Sequence, residues 1–436
     1  MKKALLAVCA AMLCSACGAP SLRYKNEVNK LAAQGRFEQA ADYVQAKSKS
    51  NYGSRDVLLY ELDRGALLHD AQQPVQSDAL FAQAQQQITD SYTKSLTASA
   101  GRLVINDLTT PYYASNYETA LTFFYRAMNF LQQNDIMGAA VEARKAAFFL
   151  DHLRGDKKNG YNDDPFVQYM ASLVFELSGE LSDARISRTN AVNAYQKRGW
   201  AVPQFSVPQN WKDYGEVVVL HYVGQIPLKK NQTMQVAWHR LIVLADSPVE
   251  NGGPVSPEVE NAIRAGITGS AVTLSYPVLE PQTYVVAGSI VQANGQRFPM
   301  QKMTDVATLA QEDLQEKMPG IWFRLATRAV LRRVAAVQAR HTVDGSGHES
   351  RSYGSTGWLA EMAVDLFGAA VEKADTRQWF TLPAEIYMTR AFVAPGTQDI
   401  KLLLTDKNGN IVGEHTFEDV NVSKGGRIFL HHRTAY

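Results

Sequence analysis

Cysteine is nearly absent from this 436-residue chain, which has only Cys9, Cys14 and Cys17. Everything beyond position 17 therefore lacks disulfides, thiolate metal sites and catalytic thiols. A chain this long can do without cross-links because its core is large enough. No sign of charge dominates, since 44 basic residues face 43 acidic ones. A balance this close to zero leaves no electrostatic footprint for nucleic acid. No apolar run approaches the ~20 residues that a membrane-spanning helix needs. Hydrophobic content of 46% and charged content of 20% are those of an ordinary globular protein of two or three domains.

Catalytic signatures are missing as well. There is no Gly-x-Ser-x-Gly elbow, His-Glu-x-x-His pair, phosphate loop or dinucleotide fingerprint. Nine histidines are scattered along the chain. Ser346 lies between His341 and His348, but no aspartate is placed to orient a base there. His431 and His432 are adjacent on an expected strand, so they point to opposite faces and do not share a metal. These patterns point to a protein that is not an enzyme, with no cofactor and no metal.

The first 17 residues are the most specific part. Lys2 and Lys3 precede an apolar run over 4–13, followed by Cys14-Ser15-Ala16-Cys17-Gly18. The run has the length of a signal-peptide core, roughly 7–15 residues. The stretch resembles the lipobox of bacterial lipoproteins, with Ser15, Ala16 and Cys17 in place and Cys14 where leucine is usual. This implies a signal peptide over 1–16 and palmitate-type lipid on Cys17, with Gly18 pointing to the outer membrane. An ordinary secretory signal cut after Ala16 or Ala19 is the competing reading.

Residues 17–199 carry a helical pattern rich in Ala, Leu, Gln and Glu. One spacing recurs: apolar, turn residue at +4, apolar at +6, small residue at +9. Leu31-Gly35-Phe37-Ala40 and Phe175-Gly179-Leu181-Ala184 show it; Leu131-Asp135-Met137-Ala140 fits with Asp at the turn, and Leu68-Gln72-Pro74-Ser77 fits less well. The pattern resembles tetratricopeptide repeats, although its copies start 37, 63 and 44 residues apart. Such stacks expose a surface that binds protein partners. Aromatic residues cluster from Tyr112 to Phe149 after a break at Thr109-Thr110-Pro111. Most are expected in the core, with Phe148, Phe149 and Leu150 buried. Tyr112 and Tyr113 are candidate groove walls, and Glu142 and Arg144 are candidate partner contacts.

Residues 200–214 read as a linker, and from 215 the period becomes two. Strands are expected over 216–222, 234–245, 271–276, 284–292, 384–394, 399–405, 411–417 and 427–432. Asn294-Gly295 is a hairpin signal. Short strands at this spacing favour a β-sandwich-like domain over 215–436. A helical hairpin insertion over about 305–375 interrupts it, with helices over 305–339 and 357–374 and a break near Pro319-Gly320. Arg324, Arg328, Arg332 and Arg333 fall near one face of the first helix, a candidate contact for membrane or anionic glycan. The expected fold class is thus α + β: irregular helical repeats, then the β domain.

Ala374-Asp375-Thr376-Arg377-Gln378-Trp379 and Leu382-Pro383-Ala384-Glu385-Ile386 resemble the Ala-Asp-Thr-Arg-x-Trp…Leu-Pro segment of an uncharacterised family of proteobacterial lipoproteins. Weaker likeness extends over most of residues 55–433. The resemblance implies a cell-envelope lipoprotein, brings no catalytic residues or cofactor, and associates the family with genes near activators of peptidoglycan synthases. Asp375, Arg377 and Trp379 sit where the insertion ends and the sheet resumes. They are candidates for a structural junction or a polar ligand site. The combined expectation is a lipid-anchored envelope scaffold facing the periplasm and holding a protein partner. A glycan-binding or glycan-processing β domain is the alternative.

Overall fold

A computed structural model describes residues 20–95, 108, 110–155, 163–237, 272–344 and 373–436, with backbone alone for 92–95 and 331–344. Cys17 and the loop holding Ser346 and His348 lie outside these residues, as do 238–271 and most of the expected second insertion helix, and the His341 side chain is not described. The chain is α + β, with helices first and strands after. Helices α1 (Leu22–Ala33), α2 (Phe37–Ala46), α3 (Ser48–Asn51), α4 (Val57–Asp70), α5 (Pro74–Ser95), α6 (Asn116–Gln132), α7 (Ile136–Gly155), α8 (Pro165–Ser178) and α9 (Leu181–Lys197) form the N-terminal layer.

Four hairpins in this layer turn in the same way. Gly35, Gln72, Asn134 and Gly179 all have φ between 58° and 84°. The next residue's N–H returns to a carbonyl five residues back: Arg36 to Leu31, Gln73 to Leu68, Asp135 to Phe130 and Glu180 to Phe175. This is the Schellman end, in which a left-handed residue lets the chain satisfy the last helical carbonyls. The small residue nine places after each apolar one is buried: Ala40, Ser77, Ala139 and Ala184. The third turn is therefore one residue earlier than its sequence reading, at Asn134 with Phe130. Gln72, the poorest match by sequence, has the same geometry as the others.

Strands β1 (Gly215–Val223), β6 (Gln301–Asp305), β7 (Glu385–Val393) and β10 (Arg427–Thr434) form one sheet in the order β10-β1-β7-β6. β10 runs parallel to β1, and the other pairs are antiparallel. β4 (Gly288–Ala293), β5 (Gln296–Pro299), β8 (Gly396–Thr405) and β9 (Ile411–Val422) form a second sheet, β5-β4-β8-β9. β2 (Leu228–Val236) and β3 (Val272–Glu280) make a separate ribbon. Strand 234–245 thus starts earlier than expected and ends at Val236, with Trp238 and Leu241 outside the described residues. The expected strand 284–292 begins only at Gly288. The Asn294-Gly295 turn has positive φ at both residues and joins Ala293 to its partner Gln296.

The β1 strand is buried throughout rather than alternating. Its Val218, Leu220 and Tyr222 join the core shared with Leu59, Phe81 and Tyr125 of the helices. Val217 and Val219 face the second sheet's Val291, Ile400 and Leu402. The first sheet is therefore covered on both sides, and one core runs across the 200–214 segment. Phe205 within that segment packs on Tyr169.

Helix α10 (Val306–Asp344) runs unbroken through Pro319, contrary to the expected interruption. An interior proline costs a helix ~3 kcal/mol, and packing on both sides of it offsets that loss. Val306 and Ala310 enter the main core, while Leu325, Ala326, Ala329 and Val330 pack against the β2–β3 ribbon. Phe148 is also corrected: it is 79% exposed. The buried stripe of α7 is Ala139, Ala143, Ala146, Leu150 and Leu153, and Phe148 lies about 200° round the helix from Ala146.

Candidate functional site

Residues 373–384 cross the helical layer as irregular chain before entering β7. Buried backbone of this kind has no ladder to satisfy it, so its polar groups need other partners. Acidic side chains on the helices supply them. The Trp379 N–H donates to Glu118 at 3.0 Å, and the Phe380 and Thr381 N–H groups donate to Asp63 at 3.1 and 3.3 Å. In the other direction, Lys25 donates to the Thr376 carbonyl at 2.7 Å and Lys229 to the Arg377 carbonyl at 3.1 Å.

Arg377 ties the segment down. Its guanidinium meets Asp375 at 2.7 Å and Asp56 at 2.9 Å, and also donates to the Thr110 carbonyl at 2.7 Å. Burial disfavours its charge, but the hydrogen bond and charge of Asp375, then Asp56, outweigh that and raise its pKa. Burial likewise pushes Asp375 up, yet the Arg377 bonds leave it below the usual carboxylate range. Burial pulls Lys25 from 10.5 down to about 8. Trp379 is fully buried against Phe81 and Tyr125, with ring centroids 5.6 Å away in each case. Asp375, Arg377 and Trp379 thus come together at a junction between helices and sheet.

The other candidates separate. Tyr112 is buried and donates to Glu118, so it forms part of the junction rather than a groove wall. Tyr113 beside it is partly exposed. Glu142 is buried, bonded by Arg126 and Lys145, and does not face a partner surface. Arg144 is exposed and pairs with Glu180 at 2.5 Å. It shares one face of α7 with exposed Met137, Val141 and Phe148, and Leu181 and Ile186 of α9 are exposed as well. Arg324 and Arg328 are half-buried on α10, where Trp322 packs on Tyr276 at 4.9 Å. The side chains of Arg332 and Arg333 lie outside the described residues. A cavity of about 360 Å³ opens beside α10, lined by Asn116, Tyr117, Asp164, Lys197, Arg198 and Glu312 among others.

Sequence reasoning missed Asp56, Asp63 and Glu118. Two signals were present. Ser115-Asn116-Tyr117-Glu118 has capping-box spacing, and the box is formed. Asp63 interrupts the apolar stripe of Leu59, Leu62, Ala66 and Leu67, so it was bound to be buried.

Between the two sheets, His432 stacks on His415 at 4.0 Å, and His221 bonds Ser289 and Thr434. Burial, then the His415 charge, pulls His432 from 6.5 to about 3. An unfolded chain therefore takes up this proton first as the pH falls. Wild type should lose stability relative to His432→Gln between pH 6.5 and about 3, by at most ~1.4 kcal/mol per pH unit. Urea unfolding at several pH values measures it; parallel stability curves for the two proteins would contradict it.

No protein-family model, no curated protein and no solved structure was found to match the chain. Among the described residues, no helix is long and apolar enough to cross a membrane.

Proposed function

We propose that this chain is a lipid-anchored scaffold of the bacterial cell envelope, held at the outer membrane through Cys17 and facing the periplasm. In this reading the helical hairpins are tetratricopeptide-like repeats that hold a protein of cell-wall or surface-polymer assembly, and the two facing sheets are a sandwich-like base. The observation that carries the reading is the row on α7. Met137, Val141 and Phe148 are 65%, 44% and 79% exposed on one face, with Arg144 among them. Large exposed apolar groups rimmed by charge are a common mark of protein contact surfaces. The lipobox-like segment and the resemblance to envelope lipoproteins supply the location.

A glycan reading is favoured by a different feature, away from the β domain where the sequence places it: the 360 Å³ cavity beside α10, whose lining includes Asn116, Lys197 and Glu312. Its size suits a small polar ligand.

The anchor is tested directly by Cys17→Ala. Wild type should incorporate labelled palmitate and fractionate with outer membrane; the variant should lose the label and become soluble in the periplasm. Unlabelled wild type, or a variant that stays in the membrane fraction, would sink the anchoring claim.

A further inference from the structure

A polar cluster unrelated to the junction gathers at the C-terminal end of α4. His69 and Asp70 close that helix, Gln72 occupies its left-handed turn, Gln132 ends α6, and His431 arrives from β10. One ligand atom each from His69, Asp70 and His431 lie within 4.8 Å of one another. We propose that these three side chains form a binding site for a divalent transition metal, with Zn²⁺ the best match.

Two imidazoles and a carboxylate are donors that zinc accepts, leaving a fourth position open. The surroundings of the histidines follow the pattern of metal ligands, whose second ring nitrogen is held by a hydrogen-bonding neighbour. His69 Nδ1 lies 2.6 Å from Asn129 Oδ1, and His431 Nδ1 lies 2.8 Å from the Gln132 amide. Gln132 Oε1 is buried with no hydrogen-bond partner among the described residues. Turning that amide over presents Oε1 to His431 Nδ1–H. Both Nε2 atoms then remain as ligands. Their present contacts, which an ion would displace, are the Tyr222 hydroxyl at 3.3 Å for His69, and for His431 the Gln72 amide at 2.9 Å, the His69 carbonyl at 3.3 Å and the Gln132 amide at 3.4 Å.

Asp70 supplies a second, independent sign. Its Oδ1 is buried and also has no hydrogen-bond partner among the described residues, while its other oxygen stands 3.6 Å from Arg433. The end of α4 adds the negative pole of the helix dipole.

Two features oppose binding and make the proposal specific. The histidine rings are stacked, with centroids 4.1 Å apart and planes 14° apart. Lone pairs lie in the ring planes, so an ion ~2.0–2.1 Å from both Nε2 atoms requires the rings to open. Arg433 competes for Asp70, so Arg433→Gln should bind metal more tightly than wild type.

The test titrates the detergent-solubilised, untagged full chain with ZnSO₄ by calorimetry, with MgSO₄ as control. One equivalent of zinc should bind and magnesium should not. Asp70→Asn and His431→Gln should each weaken zinc at least tenfold, and Arg433→Gln should strengthen it. A wild type with no saturable equivalent, or unchanged affinity in both ligand variants, overturns the site. If either ligand variant fails to fold, Co²⁺ on wild type decides. Intense visible bands of a four- or five-coordinate ion support the site, and only the faint spectrum of hydrated cobalt overturns it.

Discussion

Arg377→Ala should destabilise the folded chain by about 3–5 kcal/mol, the range for removing one partner of a buried ion pair. Asp56 is buried and Asp375 is partly so, and both would keep their charge or take up a proton without the guanidinium. The Thr110 carbonyl would lose its donor as well. A loss of this size is a large fraction of the ~5–15 kcal/mol that holds a typical protein folded. Arg377→Lys should recover only part of it, because an ammonium cannot span both oxygens of Asp375 and also reach Asp56. The double variant Asp56→Leu/Arg377→Met should be more stable than Arg377→Ala, since no uncompensated Asp56 charge remains. Urea unfolding of the four proteins checks the series. A loss below ~1 kcal/mol for Arg377→Ala would mean that the junction does not depend on this pair.

Trp379→Ala should cost a similar amount, about 3–5 kcal/mol, for a different reason. The indole is fully buried against the stacked pair Phe81 and Tyr125, and its N–H donates to Thr381 at 3.1 Å. Truncation opens a cavity in the core that helices and sheet share. The variant should therefore weaken both halves together, and far-ultraviolet dichroism and near-ultraviolet signals should move to the same lower urea midpoint. Separate transitions for helices and strands in wild type would contradict a single continuous core.

Local chemistry explains which parts were readable in the sequence. Asn294-Gly295 announced its hairpin because both positions need φ > 0, which that pair adopts easily. The helical turns were readable where glycine marked them, at Gly35 and Gly179. Asn134 was displaced by one residue because the neighbouring Asp135 is an equally plausible turn former. The burial of α7 was not legible because bulky aromatics and small residues compete for the core, and size alone favours the aromatics. Its contact stripe is mostly alanine, which allows close helix packing and leaves Phe148 outside. The junction was half legible. Asp375, Arg377 and Trp379 stood out by type and position, but their partners Asp56, Asp63 and Glu118 lie over 250 residues away. No local period connects residues so distant.

The claim that the α7 face holds a protein partner is tested most directly by site-specific photocrosslinking in intact cells. A photoreactive residue at Phe148 or Met137 should give the same discrete adduct, larger than the chain alone. The same probe at Ile411, exposed on β9, should not give it. Phe148→Asp should abolish the Met137 adduct while leaving the urea midpoint unchanged, because the side chain contributes little to the core. No adduct at either α7 position, or the same adduct at Ile411, would contradict a partner surface on these helices.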